Sequence, residues 1–260
     1  MSAAYDQYDY QSYWEGREYE HECEVVVLRT LLEKIPKIKK IIDIGCGYGR
    51  LTPYYLHRAK KIVLTDPSSK NLKVAKYNLE KVNNEKDKIV YRQSTLENLP
   101  KRIKTKQFDL ALLIRVMHHL EDPEESLKII NRLLSEKGFL IIEFANKLHW
   151  KAMFKNLMCG NLTFPLEIFP TDIRSDKNVK KHTLPFKNYH PDLIKELLKT
   201  AKFEIVEMRS VSNVRSPIIK KYLPLEALMP IEKFFQKSLS FLQFGPSVFI
   251  LAQKKGEIEN

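Results

Sequence analysis

Short apolar runs alternate with helix-period segments through the first 146 residues of the chain. "KKIIDIG", "KIVLTD", "KIVYRQ", "FDLALLIRV" and "FLIIEFA" each read as a strand. Near-continuous runs such as "LALLI" and "FLIIEF" fit parallel strands covered on both faces by helices. Between the second and third strands, Ser68 or Ser69 caps a helix that puts Leu72, Ala75, Leu79 and Val82 on one face. A second helix start is written in "LEDPEESLKIINRLLSEKG". Asp122 is its N-cap, Pro123 its first residue, and Glu124 and Glu125 favour the positive end of the helix dipole. Leu127, Ile130 and Leu134 then face the sheet, and Gly138 is the expected stop. The first crossover, "YGRLTPYYLHRA", tolerates Pro53 only in its first turn. This alternation predicts an α/β protein with a doubly wound, mostly parallel sheet.

The pattern breaks after Asn146. Residues 147–189 are basic, rich in aromatic residues and Met, and interrupted by Pro165, Pro170 and Pro185, which is too long for a plain connection and reads as a lid. Its apolar residues, among them Trp150, Met153, Phe154, Leu157, Met158 and Phe169, are expected to bury one another or to build a dimer interface. His182 and His190, in or beside the lid, are placed to serve a substrate or, as is commoner for isolated histidines, to be surface residues. Order resumes with the helix "HPDLIKELLKTAKF", which Asp192 helps to cap, and the strand "EIVEMRS". A greasy helical insertion at about 217–244 precedes a last strand, "SVFILAQ".

At 260 residues the chain fits one large domain with insertions. The net charge of +12 is uneven: residues 1–146 carry +4 and residues 147–260 carry +8. A basic half suits anionic partners, either nucleic acid or an anionic lipid surface. No apolar run approaches the ~18 residues of a membrane span, and the acidic, aromatic N-terminus does not read as a signal peptide. Cys23, Cys46 and Cys159 are odd in number and far apart, which argues against a disulfide framework and a zinc cluster. A reducing cytoplasm and no bound metal are therefore expected.

The candidate chemistry starts at "IIDIGCGYGR", a strand running into Gly45, Gly47 and Gly49. Small residues let a backbone approach a ligand, and the following helix points free N–H groups at the turn. A dinucleotide fingerprint would need G-x-G-x-x-G, but here Arg50 takes the sixth position. Asp43, two residues before Gly45, is placed to shape the turn or accept from a ligand's ammonium. Asp66 ends the second strand, where an acid accepts both hydroxyls of a ribose. That acid would serve a nicotinamide dinucleotide equally well.

Taken together, "DIGCGYG", "LTDPS", "STLENLP" and "FDLALLIRVMHHLEDPEESLKIINRLLSEKGFLIIEFAN" resemble the class I S-adenosylmethionine-dependent methyltransferases, in their small-molecule type 11 branch. The resemblance covers residues 38–146 well, and "AKFEIVEMRS" and "PSVFILAQ" match the closing antiparallel strand pair more loosely. It implies a Rossmann-like methyltransferase fold with seven strands, the last antiparallel, and helices on both faces. The cofactor implied is S-adenosyl-L-methionine. Its methionine end would lie on Asp43, Gly45, Cys46, Gly47, Tyr48 and Gly49, and its ribose on Asp66 with Pro67 and Ser68. Adenine would meet Ser94, Thr95 and Leu96, while Arg115, Val116 and His119 complete the pocket. Two departures stand out. Ser94 replaces the Asp common in the adenine loop, and "AKF" replaces "AGF", which puts Lys202 in a left-handed cap at a cost of about 1 kcal/mol.

The end of the fourth strand faces the cofactor methyl in this family, so His118 and His119 are the candidate general bases, His118 as the catalytic one and His119 as a pocket residue. Residues 1–37 are implied to form an N-terminal helical cap. There Tyr13, Trp14 and Arg17 would close over the cofactor, with Arg17 forking onto its carboxylate. The implied organisation is this cap, a cofactor-binding core at 38–146, a lid at 147–189, and a C-terminal part at 190–260 that completes the sheet. The expected activity is methyl transfer to a small-molecule acceptor, lipophilic or aromatic. An RNA or other nucleic-acid methyltransferase and a non-catalytic scaffold are the alternatives. Against nucleic acid, no D/N-P-P-Y follows the fourth strand and no Pro-Cys nucleophile is evident.

Overall fold

In the computed structural model, which describes residues 10–82, 88–180, 183–214, 216–238 and 240–256, seven strands form one sheet. They are β1 (Lys40–Ile44), β2 (Lys61–Asp66), β3 (Ile89–Gln93), β4 (Phe108–Leu113), β5 (Leu134–Ala145), β6 (Phe203–Val211) and β7 (Ser247–Lys254). The order is β3-β2-β1-β4-β5-β7-β6. The first five strands pair in parallel, and β7 runs antiparallel to both β5 and β6. The order reverses between β1 and β4, and in such sheets a ligand crevice opens at the carboxyl ends of the strands on either side of the reversal.

The main helices are α1 (Glu18–Glu33), α2 (Ser69–Glu80), α3 (Pro123–Leu133), α4 (Trp150–Met158), α5 (Pro191–Thr200) and α6 (Leu225–Ser238). Strand side chains alternate between faces, so the core divides in two. Ile41, Leu110 and Phe249 pack with Leu28 and Leu31 of α1 and Leu228 of α6. Ile42, Leu113 and Ile250 pack with Leu127 and Ile130 of α3 and Ile194 of α5. Each fully buried aliphatic or aromatic side chain contributes about 1.5–3 kcal/mol.

The capping signals work as the residues suggest. Ser68 Oγ accepts from Asn71 N at 3.1 Å, and Asp122 Oδ1 accepts from Glu125 N at 2.9 Å. Lys202 takes φ +60°. Elsewhere the local reading needs correction. Helix α3 stops at Leu133, well before Gly138, because Leu134 already enters β5. Lys137 makes the left-handed turn at φ +58°. Gly138 is small for packing: a Cβ there would lie 2.9 Å from Ser135 O and 3.1 Å from Phe108 O. The first crossover is only a turn of helix at Thr52–Tyr55 followed by a 3-10 turn at Leu56–Arg58. His190, expected at the surface, is instead buried and caps α5, its Nδ1 accepting from Asp192 N at 3.1 Å. Val82 lies beyond α2 and is exposed.

Residues 147–189 leave and rejoin the sheet at one point. Lys147 N donates to Tyr189 O at 2.9 Å and Tyr189 N to Ala145 O at 2.8 Å. Asn146 Nδ2 braces the same corner by donating to Gln243 O and Gly245 O, at 2.6 and 2.8 Å. Within the segment lie α4, a 3-10 turn at Phe164–Leu166, a short helix at Asp176–Lys180, and a ribbon pairing Thr171–Asp172 with Lys187–Asn188. His182 falls outside the described residues. Among the described residues, no helix is long and apolar enough to cross a membrane.

Candidate active site

A cavity of about 1110 Å³ opens at the carboxyl ends of β1, β2 and β4. Its floor is the glycine turn. Gly45 has φ +75°, and a Cβ on it would sit 2.3 Å from Val116 Cγ2, so only glycine lets this turn touch the segment after β4. Gly45 N and Cys46 N donate to Thr65 O at 2.8 and 3.0 Å, which fixes the turn to β2. Gly47 and Tyr48 continue along the wall, and the Cβ position of Gly47 looks into open space. Gly49 is behind the wall. Its missing Cβ leaves room for α2, with Leu79 Cδ1 at 3.1 Å and Ala75 Cβ at 3.3 Å.

Two carboxylates underlie the turn. Asp43 is buried and accepts from Tyr55 Oη at 2.5 Å. Burial pushes its pKa up to about 7, against the opposing pull of that hydrogen bond. Asp66, at the end of β2, accepts from Gly47 N through Oδ2 and from Ser68 N through Oδ1, both at 2.9 Å. It thus ties the glycine turn to the start of α2. Ser68 supports this from behind the wall, whereas Pro67, Ser94, Thr95 and Leu96 are on it. Ser94 N donates to Asp66 O at 3.1 Å, and Ser94 Oγ to Thr95 O at 2.9 Å.

Arg115 follows β4 with φ +62°, a conformation uncommon for a non-glycine residue. Its N–H donates to Glu143 Oε2 at 2.9 Å. Its Nε and Nη2 both donate to Glu24 Oε1, at 2.7 and 2.5 Å. Arg50 Nη2 donates to the other oxygen of Glu24. Glu24 is fully buried. Burial alone would raise its pKa, but Arg115 and then Arg50 outweigh this and hold the carboxyl below the usual range. Trp14 closes this end of the cavity, with Arg50 Cζ 3.5 Å and Arg115 Cζ 5.2 Å from its ring centroid.

Several expected roles move. Arg17 is exposed and stacks on Tyr13, its Cζ 4.2 Å from the ring centroid, so it is not on the cavity wall. Arg50, Arg115 and, from the insertion, Arg174 are the arginines on it. His118 is also off the wall. It is buried beside Phe186 and His119, with ring centroids 4.3 and 4.0 Å away, and its Nδ1 has no hydrogen-bond partner among the described residues. Burial, and then His119 and Arg115, push its pKa well below the ordinary range. His119 lines the cavity instead. Its Nδ1 lies 2.7 Å from Pro185 O. A carbonyl only accepts, so Nδ1 carries the proton and the lone pair is on Nε2.

Glu24 and Arg50 escaped the sequence reading. The available signal was a carboxylate inside the apolar stripe of "CEVVVLRTLL", since a charge on a buried face needs a partner. Among the described residues, no group of three or more His, Cys, Asp and Glu side chains is arranged to hold a metal ion. The wall fits an adenosine-bearing ligand. It has an acid at the end of β2, a turn open at Gly47, and room for a second molecule.

Comparison with known proteins agrees with this geometry. Residues 42–142 match the family model described as a methyltransferase domain. A ubiquinone biosynthesis O-methyltransferase from Pelagibacter ubique is 33% identical over 108 residues, 42% of this chain and 42% of that protein. One from Nitrosomonas europaea is 30% identical over 42% of this chain and 45% of that protein. The match thus spans less than half the length of these curated relatives. The fold is shared more widely. An S-adenosylmethionine-dependent methyltransferase from Thermotoga maritima has a TM-score of 0.61 at 18% identity, covering 98% of this chain and 100% of that one. Magnesium protoporphyrin IX methyltransferase from Synechocystis has a TM-score of 0.57 at 16% identity, covering 92% and 84%. Residues 42–142 are thus similar to the methyltransferase domain family, and the chain as a whole shares the fold of solved methyltransferases.

Proposed function

We propose that the protein is an S-adenosylmethionine-dependent methyltransferase acting on a small, lipophilic or aromatic acceptor. One observation carries this reading: the glycine turn, Asp66 and the Ser94–Leu96 loop share one wall of a single cavity. When bound, S-adenosylmethionine supplies a methyl group already activated by a sulfonium. Asp66 would accept the ribose hydroxyls, and Asp43 would face the ammonium end. Ser94 to Leu96 would hold adenine through backbone and apolar contacts, because the Ser94 hydroxyl is turned to Thr95 O. Arg50 and Arg115 share one carboxylate, Glu24, which leaves a net positive edge for a carboxylate. His119 is the candidate base. Its Nε2 lone pair suits removal of a proton from an acceptor hydroxyl, and methyl transfer otherwise needs mainly alignment.

The lipophilic acceptor is supported by the apolar residues Val179 and Leu184, which the insertion adds to the cavity lining, and by relatives whose names place them in ubiquinone biosynthesis. A cytoplasmic setting is supported by three free cysteines. The test is calorimetric titration with S-adenosylmethionine, S-adenosylhomocysteine and NADH, repeated on Asp66→Ala. The reading expects both sulfur compounds to bind, NADH not to, and the substitution to abolish binding. Folded protein, free of co-purified ligand, that ignores both sulfur compounds would overturn it.

A further inference from the structure

Helix α4 is amphipathic the wrong way round for a core helix. Trp150, Phe154, Leu157 and Met158 fall at i, i+4, i+7 and i+8, a single stripe. Yet no residue of this helix is buried, and Phe154, Leu157 and Met158 are 59%, 58% and 71% exposed. The mutual burial expected of the lid aromatics does not occur here. Half of the exposed large apolar side chains among the described residues lie in the segment 147–189.

The loop after α4 continues this surface, and it is held in place. The ammonium of Lys147, almost wholly buried, donates to Glu167 O at 2.7 Å and Phe169 O at 3.1 Å. His190 Nε2 lies 3.0 Å from Pro165 O. Its Nδ1 already accepts, so Nε2 is the donor. Two buried polar groups thus pin a loop whose Leu166 and Phe169 side chains point to solvent, 79% and 78% exposed. Fixed backbone with outward apolar side chains marks an interaction surface.

Charge selects the occupant. Lys151 and Lys155 follow one step behind the stripe along its edge, with Lys155 exposed. Residues 147–189 carry eight Lys and Arg against three Asp and Glu. A Trp, Phe and Leu face edged by lysines, with no span long enough to cross, is the composition of a helix lying in a membrane interface. We propose that α4 and the loop through Phe169 dock on anionic phospholipid, with the apolar stripe in the acyl boundary and the lysines at the headgroups. Val179, later in the same insertion, is among the residues that line the cavity. The inference does not need the methyl-transfer reading, since docking would occur with or without a cofactor.

Flotation of the full chain with vesicles tests it, using phosphatidylcholine alone or mixed with phosphatidylglycerol. The wild type should float with the mixed vesicles only, and less so at high salt. Phe154→Ser with Leu157→Ser, and separately Lys151→Glu with Lys155→Glu, should each lower partition at least about tenfold. Phe154, Leu157 and Lys155 are exposed and Lys151 is half-buried, and circular dichroism should match the wild type. Leu166→Ser with Phe169→Ser is the second probe of the same surface. The proposal is overturned if the wild type stays with the soluble fraction, or if both apolar variants float as it does. It is equally overturned if sedimentation without lipid shows a dimer that these variants dissolve, because a second copy then covers the face.

Discussion

Glu24 and Arg115 stand 91 residues apart in sequence, yet one carboxylate oxygen of Glu24 takes two hydrogen bonds from the Arg115 guanidinium. Arg50 takes the other oxygen. The helix before the sheet is thereby locked to the strand ends that carry the cavity. Breaking a buried pair by removing one partner leaves the remaining charge uncompensated, at about 3–5 kcal/mol. Glu24→Gln should lose that order of stability in urea unfolding. It should also weaken S-adenosylhomocysteine binding, because the two guanidiniums then repel one another.

Asp66 organises the turn, in addition to the ribose contact proposed for it. Asp66→Ala removes the acceptor of Gly47 N and Ser68 N, and hydrogen bonds to a charged group are each worth about 1.5–3 kcal/mol. The expected result is at least a hundredfold loss of cofactor affinity by calorimetry. Asp66→Asn should retain part of it.

Gly45→Ala places a methyl group against Val116 in a left-handed backbone. Destabilisation of about 1–3 kcal/mol is expected. Pairing it with Val116→Ala should recover part of that loss. A double-mutant cycle read by thermal unfolding checks the coupling.

The two adjacent histidines should separate cleanly in kinetics. His119→Gln should lower kcat by about 10²–10⁴-fold with little change in KM. His118→Phe fills the same apolar slot, removes an unpartnered buried nitrogen, and should leave kcat within a few-fold. Burial holds the pKa of His119 below its ordinary 6.5. The neutral, active form then persists as pH falls through 6.5, so the acid limb of kcat should lie below that value.

Asp43 gives a second pH signature. Its pKa is raised from 3.8 to about 7 by burial, so its contribution to folding stability is complete below pH 3.8 and is lost as pH rises through about 7. A cationic ammonium favours the ionised form, so cofactor affinity should rise over the same interval. Binding near pH 7 should release a proton, which calorimetry in buffers of different ionisation enthalpy detects. Asp43→Asn should stabilise the unliganded protein at pH 8 by about 1 kcal/mol or more while weakening binding.

What the residues disclosed was local. Strands β1 to β5, the caps Ser68 and Asp122, the glycine turn and Asp66 each depend on neighbours a few positions away, and all were legible. The exact end of α3 was not, because Lys137 took the left-handed turn and freed Gly138 for packing. That His118 is buried while His119 lines the cavity depends on Phe186 and Pro185, which arrive from the insertion at 147–189. The Glu24 clamp needed three segments at once. Helix α4 was not assigned from sequence: its apolar residues were expected to bury one another or to build a dimer interface, and their composition alone does not say which way they turn.

The hydrogen bond from Lys147 to Tyr189 has an evolutionary meaning. A segment whose two ends meet at one corner of a sheet can be shortened, lengthened or exchanged while the strand ladder stays intact, and each doubling of loop length adds only about 0.6 kcal/mol of closure entropy. The half of the cavity built on β1, β2 and β4 is then under one set of constraints, and the half supplied by the insertion is under another. A lineage can keep its donor chemistry while trading one acceptor, or one surface to work on, for the next.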